Sequence, residues 1–115
     1  MKFKLEKNLK IINELIAYCY KIGSSDVNVH IQSTDKSTIF KVLSIVDNLS
    51  HTLLEELTET LNTKRQREVE QYYWNLGGES EFDSELSLVG MMIDMANVRY
   101  EFNKLSIEIL RIEEY

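Results

Sequence analysis

The sequence predicts an α+β fold, a two-layer sandwich in which helices pack on one face of a mixed or antiparallel sheet of two β-hairpins. Apolar residues recur with helical spacing in three segments, and apolar and polar residues alternate in two others. A length of 115 residues with 43% hydrophobic content suits a single domain, 1–115. The expected element order is α-β-β-α-α-β-β, since helices can cover the apolar sheet face that two hairpins cannot bury alone.

The composition excludes several classes of protein. A net charge of −6 argues against binding to nucleic acid or to an anionic membrane, because both need a basic surface. The single cysteine, Cys19, cannot form an internal disulfide, and it sits on an apolar helix stripe where a small buried cysteine is common. No signal peptide and no apolar run of about 18 residues is visible. We therefore expect a cytoplasmic protein.

The first helix and hairpin are predicted over residues 5–46. Residues 5–22 predict an amphipathic helix that stops at Gly23, and its expected apolar stripe consists of Leu9, Ile12, Ile16 and Cys19, with Leu15 and Ile22 alongside. Residues 27–32 alternate strictly and predict a half-buried strand with His30 facing solvent. A turn at 33–37 and a buried partner strand at 38–46 complete the hairpin.

A second helix is predicted after the hairpin. Residues 52–55 have capping-box spacing, and Leu53, Leu57 and Leu61 form a stripe. The helical pattern continues through a basic cluster at 64–67, interpreted as a solvated mixed-charge face, and ends at Gly77-Gly78. Residues 79–85 indicate an acidic loop.

The chain closes with a third helix and a second hairpin. The helix is expected to place one apolar face toward the core, formed by Leu88, Val89, Met92, Ile93 and Ala96. Met91, Met92 and Met95 are interpreted as core filler on this helix. The hairpin strands alternate on either side of Asn103-Lys104, and the first of them is expected to include Phe102.

Three segments, in this order, resemble the histidine-kinase/gyrase/MutL-type ATPase superfamily, the GHKL fold. Residues 14–23 with the following strand are similar to the family's N-box helix, usually E-x-x-x-N. Residues 45–57 are similar to the D-x-G-x-G turn that leaves a central strand, and residues 85–92 to the glycine-rich stretch that opens a late helix. The resemblance implies a reduced histidine-kinase-type ATPase fold.

The departures from the family motifs decide what the resemblance implies for activity. The N-box position that holds magnesium in the family is Tyr18, and a phenol is a poor ligand for a hard cation. The motif glycines are replaced by Leu49 and His51 in the second motif, and by Glu85 and Ser87 in the third. A carboxylate where amide groups should receive phosphates repels them. We therefore expect no ATP hydrolysis and no cofactor.

Three remaining positions have two interpretations each. Asp47-Asn48 is either a remnant adenine contact or a strand-to-helix turn, and the turn is favoured. Glu14 matches the family's catalytic base, but a solvated helix carboxylate is favoured because no magnesium ligand accompanies it.

The aromatic run Tyr72, Tyr73 and Trp74 marks a possible protein interface, since three consecutive helical residues cannot all face one side. The preferred hypothesis is a non-catalytic, degenerate ATPase-like domain that acts in protein interaction or regulation, with a protein partner or a second copy. The alternative is a histidine-kinase-like or anti-sigma-like ATPase that binds ATP and magnesium through Glu14, Asp47 and Ser87. A plain α+β binding module with an accidental likeness is the third possibility.

Overall fold

The computed structural model describes residues 3–68, 70 and 86–113. Its elements are three helices, α1 (Lys4–Lys21), α2 (His51–Leu61) and α3 (Leu86–Met92), and four strands, β1 (Asp26–Ser33), β2 (Ser37–Ile45), β3 (Met95–Glu101) and β4 (Lys104–Ile112). The strands form one antiparallel sheet in the order β1-β2-β4-β3. The predicted α+β class and element order are confirmed.

The core lies between the helices and one face of this sheet, which we call the inner face. Side chains alternate along the two central strands, so every second residue of β2 and β4 is buried. The buried apolar residues of these strands are Phe40, Val42, Leu105, Ile107 and Ile109.

The end of α1 has the expected local structure, and the turn between β3 and β4 differs from the prediction at Phe102. Gly23 follows α1 with φ of 91°, its N–H donates to the Tyr20 carbonyl, and the Ser24 N–H donates to the Cys19 carbonyl. This is a Schellman ending, which favours glycine at the left-handed position. The β3–β4 turn consists of Phe102 and Asn103, both with positive φ. Phe102 is 90% exposed, so the expectation that it belongs to a strand is wrong.

The start and the end of α2 differ from the prediction. The N-cap is Ser50, whose side chain accepts a hydrogen bond from the Leu53 N–H, so the predicted box at 52–55 does not cap the helix. The helix ends at Leu61 and does not run on through the basic cluster, because Lys64, Arg65 and Gln66 are not helical. The predicted continuation to Gly77-Gly78 and the acidic loop at 79–85 lie outside the described residues.

α1 buries part of the predicted stripe. Ile12, Leu15 and Cys19 are buried as expected, but Leu9 is 47% exposed and Ile16 is only partly buried, whereas Ile11, outside the predicted stripe, is fully buried. The core therefore lies about one residue position around the helix from the predicted stripe. β1 is likewise not half-buried, since Val29 and Ile31 are both exposed. β1 is an edge strand of the sheet, so it has a neighbouring strand on one side.

α3 is shorter than the predicted third helix. It ends at Met92, and Asp94 precedes β3, so Ala96 belongs to a strand and is buried from there. Met92 is fully buried as expected, but Met95 lies on β3 and is 58% exposed. The interpretation of Met95 as core filler on the helix is therefore wrong.

A buried ionic cluster joins α1, the residues after α2, and β4. Arg111 is fully buried on β4 and donates to the Glu70 carboxylate at 2.9 Å and to the Glu113 carboxylate at 2.9 Å. Lys7, also fully buried, donates to the same Glu70 oxygen at 3.1 Å. We call Lys7, Arg65, Glu70, Asp94, Arg111 and Glu113 the Arg111 cluster.

Arg65 completes this cluster and corrects the interpretation of the basic segment. Its side chain is 4% exposed, and it binds the Glu70 carboxylate at 3.1 Å and the Asp94 carboxylate at 2.7 Å. It also donates to the Ile112 carbonyl at 2.8 Å. Arg65 is therefore not part of a solvated face. Equal numbers of cations and anions meet here, as burial of charged groups requires.

The pKa of the Glu70 carboxyl reflects this environment. Burial alone raises it, but the hydrogen bond and charge of Arg111, followed by those of Arg65, outweigh burial and lower it below its ordinary value. The carboxylate therefore stabilises the fold above the unfolded-state pKa of about 4.3, and this contribution is lost as pH falls through the lower folded-state pKa.

We predict that Glu70→Gln lowers the free energy of unfolding by about 3–5 kcal/mol, because it removes the carboxylate that pairs with the buried Lys7 and leaves the buried Arg111 with Glu113 as its remaining carboxylate partner. Urea unfolding at neutral pH measures this. Glu55→Gln is the matched control, since Glu55 pairs with His51 at the surface and its removal should cost less than about 1 kcal/mol. Equal stability of Glu70→Gln and the control would contradict the assigned role of the cluster.

Candidate functional site

A groove between the three helices is the candidate site, because it brings together parts of the first and third motifs. It lies between the C-terminal half of α1, α2 and the start of α3, and its volume is about 300 Å³. We call it the Tyr18 groove. Its lining includes Tyr18, Lys21, Leu53, Glu56, Leu57 and Ser87.

Helical spacing places these side chains in the groove. Tyr18 is 8% exposed and follows the buried Leu15 by one turn of α1. Leu53 and Leu57 are also one turn apart on α2 and therefore lie on the same face of the helix. Leu57 is buried, whereas Leu53 is 39% exposed. The groove therefore has a buried base and a wall that solvent reaches.

The Tyr18 hydroxyl remains neutral near pH 7. Burial raises its pKa above the ordinary value, and Coulombic interactions with Cys19 and Glu56 add to the increase. The phenol is thus available as a neutral hydrogen-bonding group and not as an anionic ligand. Lys21 and Glu56 line the groove beside this phenol. The groove therefore contains an apolar wall, the Tyr18 hydroxyl, one positive charge from Lys21 and one negative charge from Glu56.

The turn of the second motif does not reach this groove, although Leu53, Glu56 and Leu57 from the helical end of the same motif line it. Asp47, Asn48 and Leu49 lie on the connection between β2 and α2, His51 is the first residue of α2, and none of these four residues lines the Tyr18 groove. Asn48 has φ of 54°, a value that asparagine tolerates in turns. The connection is held to β3, since the Leu49 N–H donates to the Tyr100 hydroxyl at 3.2 Å, and that hydroxyl donates to the Val46 carbonyl. The geometry of Asp47-Asn48 is that of the turn interpretation.

Two further expectations concern histidine and glutamate. His51 is exposed and pairs with Glu55 at 2.8 Å along α2, and His30 is exposed on β1 as predicted. Glu14 is not solvated, because it is 8% exposed and lies 3.6 Å from the Lys10 ammonium group. Its burial could not be read from the helix pattern, in which Glu14 falls on the side away from the apolar stripe.

Cys19 is buried as predicted. It is fully inaccessible, and burial raises the pKa of its thiol, an effect that a hydrogen bond with Ser44 only partly offsets. A neutral, inaccessible thiol is a poor nucleophile. Within the described ranges, no three side chains of the His, Cys, Asp and Glu types are grouped so that they could hold a metal ion.

Four of the predicted site positions, Glu85, Tyr72, Tyr73 and Trp74, lie outside the described residues. Of the other predicted positions, the structure brings Tyr18 and Ser87 together. Sequence reasoning missed Glu56 and Leu53, which share the groove with them. The only signals for these two residues were their position in the helical part of the second motif and, for Leu53, its place in the predicted apolar stripe.

In the part of the chain that the structure describes, no helix is long and apolar enough to cross a membrane. Comparisons with protein-family models and with curated proteins find no match for this chain.

The width of the Tyr18 groove depends on Gly90. A Cβ atom at this α3 residue would overlap the Thr60 carbonyl oxygen of α2, so the two backbones approach more closely than any larger residue permits. We predict that Gly90→Ala lowers the melting temperature by several degrees, because overpacking costs about 1–3 kcal/mol. Helix propensity alone predicts the opposite sign, by about 1 kcal/mol.

Thermal unfolding measures this effect, and Ser87→Ala on the exposed side of the same helix is the matched control. The control should keep or slightly raise the melting temperature. A Gly90→Ala variant as stable as the control would contradict the close approach of α2 and α3.

Proposed function

We propose that this chain is a non-catalytic, degenerate ATPase-like domain that acts as a protein-interaction or regulatory module. The observation that carries the proposal is the composition of the Tyr18 groove, in which a neutral phenol occupies the position of a magnesium ligand and leucines form the walls. Such a surface suits an apolar or aromatic side chain of a protein partner better than a polyphosphate.

The residues present do not fit ATP with magnesium. A neutral phenol is a poor ligand for a hard divalent cation, which prefers carboxylate and amide oxygens. Glu56 in the groove would repel a phosphate and offset the attraction of Lys21, so these two side chains give a polyphosphate no net positive charge to bind. Asp47, the position that resembles the adenine-binding aspartate, lies on a connection that does not line the groove. No chemical step through a nucleotide is derived for these residues.

One observation favours the alternative, a histidine-kinase-like or anti-sigma-like ATPase with unorthodox ligands. Tyr18 and Ser87, which come from separate motifs of the resemblance, line the same groove. A site retained in outline but without its ligands is consistent with either function. Nucleotide binding therefore has to be measured directly.

We predict no thermal stabilisation of the purified protein by ATP or ADP at millimolar concentration, with or without magnesium. A ligand at 100 times its dissociation constant would add about 2.7 kcal/mol, a shift of several degrees for a chain of this length. A magnesium-dependent shift that Asp47→Asn abolishes would overturn the proposal and establish the alternative. Glu55→Gln, on the solvent side of α2, is the control for a general effect of removing a carboxylate.

The proposed partner surface includes Tyr72, Tyr73 and Trp74. We predict that Trp74→Ala leaves the melting temperature within a few degrees of wild type and weakens capture of a partner protein, because tryptophan is a frequent anchor of protein interfaces. Tyr20→Ala on α1 is the matched control, since Tyr20 is an aromatic residue that is 68% exposed. Unchanged capture and an unchanged oligomeric state would contradict this assignment.

A further inference from the structure

We propose that β1 is a dimerisation strand, through which two copies of this chain pair antiparallel into one continuous sheet. This inference deepens the proposed interaction function by naming a second copy as a partner and β1 as the surface. Four observations support it: β1 is an edge of the sheet, its backbone N–H and C=O groups point outward, its order of residues is self-complementary, and an apolar surface lies beside it.

The two edges of the sheet differ in their protection. β3 forms one edge, carries Arg99 and Glu101, and packs against α2. β1 forms the other edge over eight residues, and among them Asp26 at the start is the only aspartate, glutamate, lysine or arginine. Edge strands normally carry lysine, proline or a bulge that prevents pairing with another chain. β1 has none of these in its ladder with β2.

The backbone groups at this edge point outward in a regular series. The Thr34 N–H donates to the Ser37 carbonyl at 2.8 Å, so this pair is a hydrogen-bonded pair of the antiparallel ladder. Hydrogen-bonded residues alternate along such a ladder. The residues whose N–H and C=O groups point away from β2 are therefore Val27, Val29, Ile31 and Ser33. Within the described ranges, no strand pairs with them.

The order of residues in β1 is self-complementary about His30. When two β1 strands pair antiparallel with His30 opposite His30, Val29 lies opposite Ile31 and Asn28 lies opposite Gln32. Val27 then lies opposite Ser33, so all four outward-pointing residues form hydrogen-bonded pairs. Asp26 lies opposite Thr34, and no two carboxylates meet. Val29 thus faces the apolar Ile31, the side-chain amides of Asn28 and Gln32 face each other, and each of these pairs occurs twice, as a two-fold symmetric interface requires.

An apolar surface lies beside this edge on the inner face. Ile31 and Val29 pair with the buried residues Phe40 and Val42, so their side chains point to the inner face, yet they are 43% and 36% exposed. Leu5 and Leu9 of α1 are 66% and 47% exposed. We call Leu5, Leu9, Val29 and Ile31 the β1 shelf.

A contact at the start of α1 brings its exposed leucines close to the end of β1. The Lys4 ammonium group donates to the Thr34 carbonyl at 2.7 Å, and Thr34 directly follows β1, while the next turn of α1 contacts Thr38 of the neighbouring strand β2 through Asn8. Lys7 contacts the Arg111 cluster on the β4 side. Helical geometry turns Leu5 and Leu9 to the opposite side, toward β1. In the dimer, the β1 shelves of both copies lie on the inner face of the continuous sheet and pack against each other.

A charge placed on the shelf tests the inference. Sedimentation velocity over a range of protein concentrations should give wild-type protein a mass of twice the 13.5 kDa chain. Ile31→Lys should raise the dimer dissociation constant by at least about tenfold, since it places two ammonium groups, one from each copy, at the dimer interface. Leu43→Lys is the matched control, because Leu43 is 40% exposed but points to the other face of β2.

Cross-linking tests the register, and it needs no destabilising charge. His30→Cys should form a disulfide between copies under mild oxidation, because residues opposite each other in a non-hydrogen-bonded pair have Cα atoms about 4.5 Å apart. Asn28→Cys should cross-link at least about tenfold more slowly, because the two Cys side chains would be about 13 Å apart along the strands. The native Cys19 is buried and should contribute no bridge.

Three results would overturn the proposal: a wild-type monomer at every concentration, a dimer equally stable in Ile31→Lys and Leu43→Lys, or equal cross-linking of the two Cys variants. These results are independent of the nucleotide titration. A magnesium-dependent nucleotide shift would overturn the proposed function while leaving the mass and cross-linking results to decide the dimer. If Ile31→Lys does not fold, the comparison of His30→Cys with Asn28→Cys decides alone.

Discussion

The buried bridge between Arg111 and Glu70 is the interaction on which the arrangement of the other elements depends. A buried guanidinium needs a counter-charge, and Glu70 receives hydrogen bonds from Arg111, Arg65 and Lys7. This requirement holds the start of α1 and the residues after α2 against the end of β4. With Lys7 directed to the β4 side, helical geometry leaves Leu5 and Leu9 on the β1 side, where they remain partly exposed.

The same arrangement explains why the Tyr18 groove and the β1 edge have different chemistry. The groove lies between helices brought close by Gly90, and it combines leucine walls with Tyr18, Lys21 and Glu56. The edge presents unpaired backbone groups beside an apolar shelf. Both surfaces suit contacts with protein. Neither contains the glycine-rich backbone that receives phosphates in nucleotide sites, which is why we favour an interaction module.

Local patterns predicted most of the elements, but not the contacts between distant residues. Helical periodicity and Gly23 placed α1 correctly, and alternation around Asn103 placed the second hairpin. The Arg111 cluster could not be predicted, because Arg111 and Glu70 are 41 residues apart and the charge pattern around Arg65 resembles that of a surface helix. The exposure of β1 also depends on the sheet order, which no local pattern contains.

In the candidate site, Tyr18 and Ser87 share one groove as the order of motifs led us to expect, whereas Asp47 does not join them. The reason is that the β2–α2 connection is held to Tyr100 on β3, a contact that motif spacing does not encode.

Residue-resolved amide hydrogen exchange, at low and high protein concentration and with and without ATP and magnesium, tests the account most directly. We predict concentration-dependent protection at Val29 and Ile31 and no change around the groove when nucleotide is added. Nucleotide-dependent protection at Tyr18 and Ser87, with none at β1, would contradict the account.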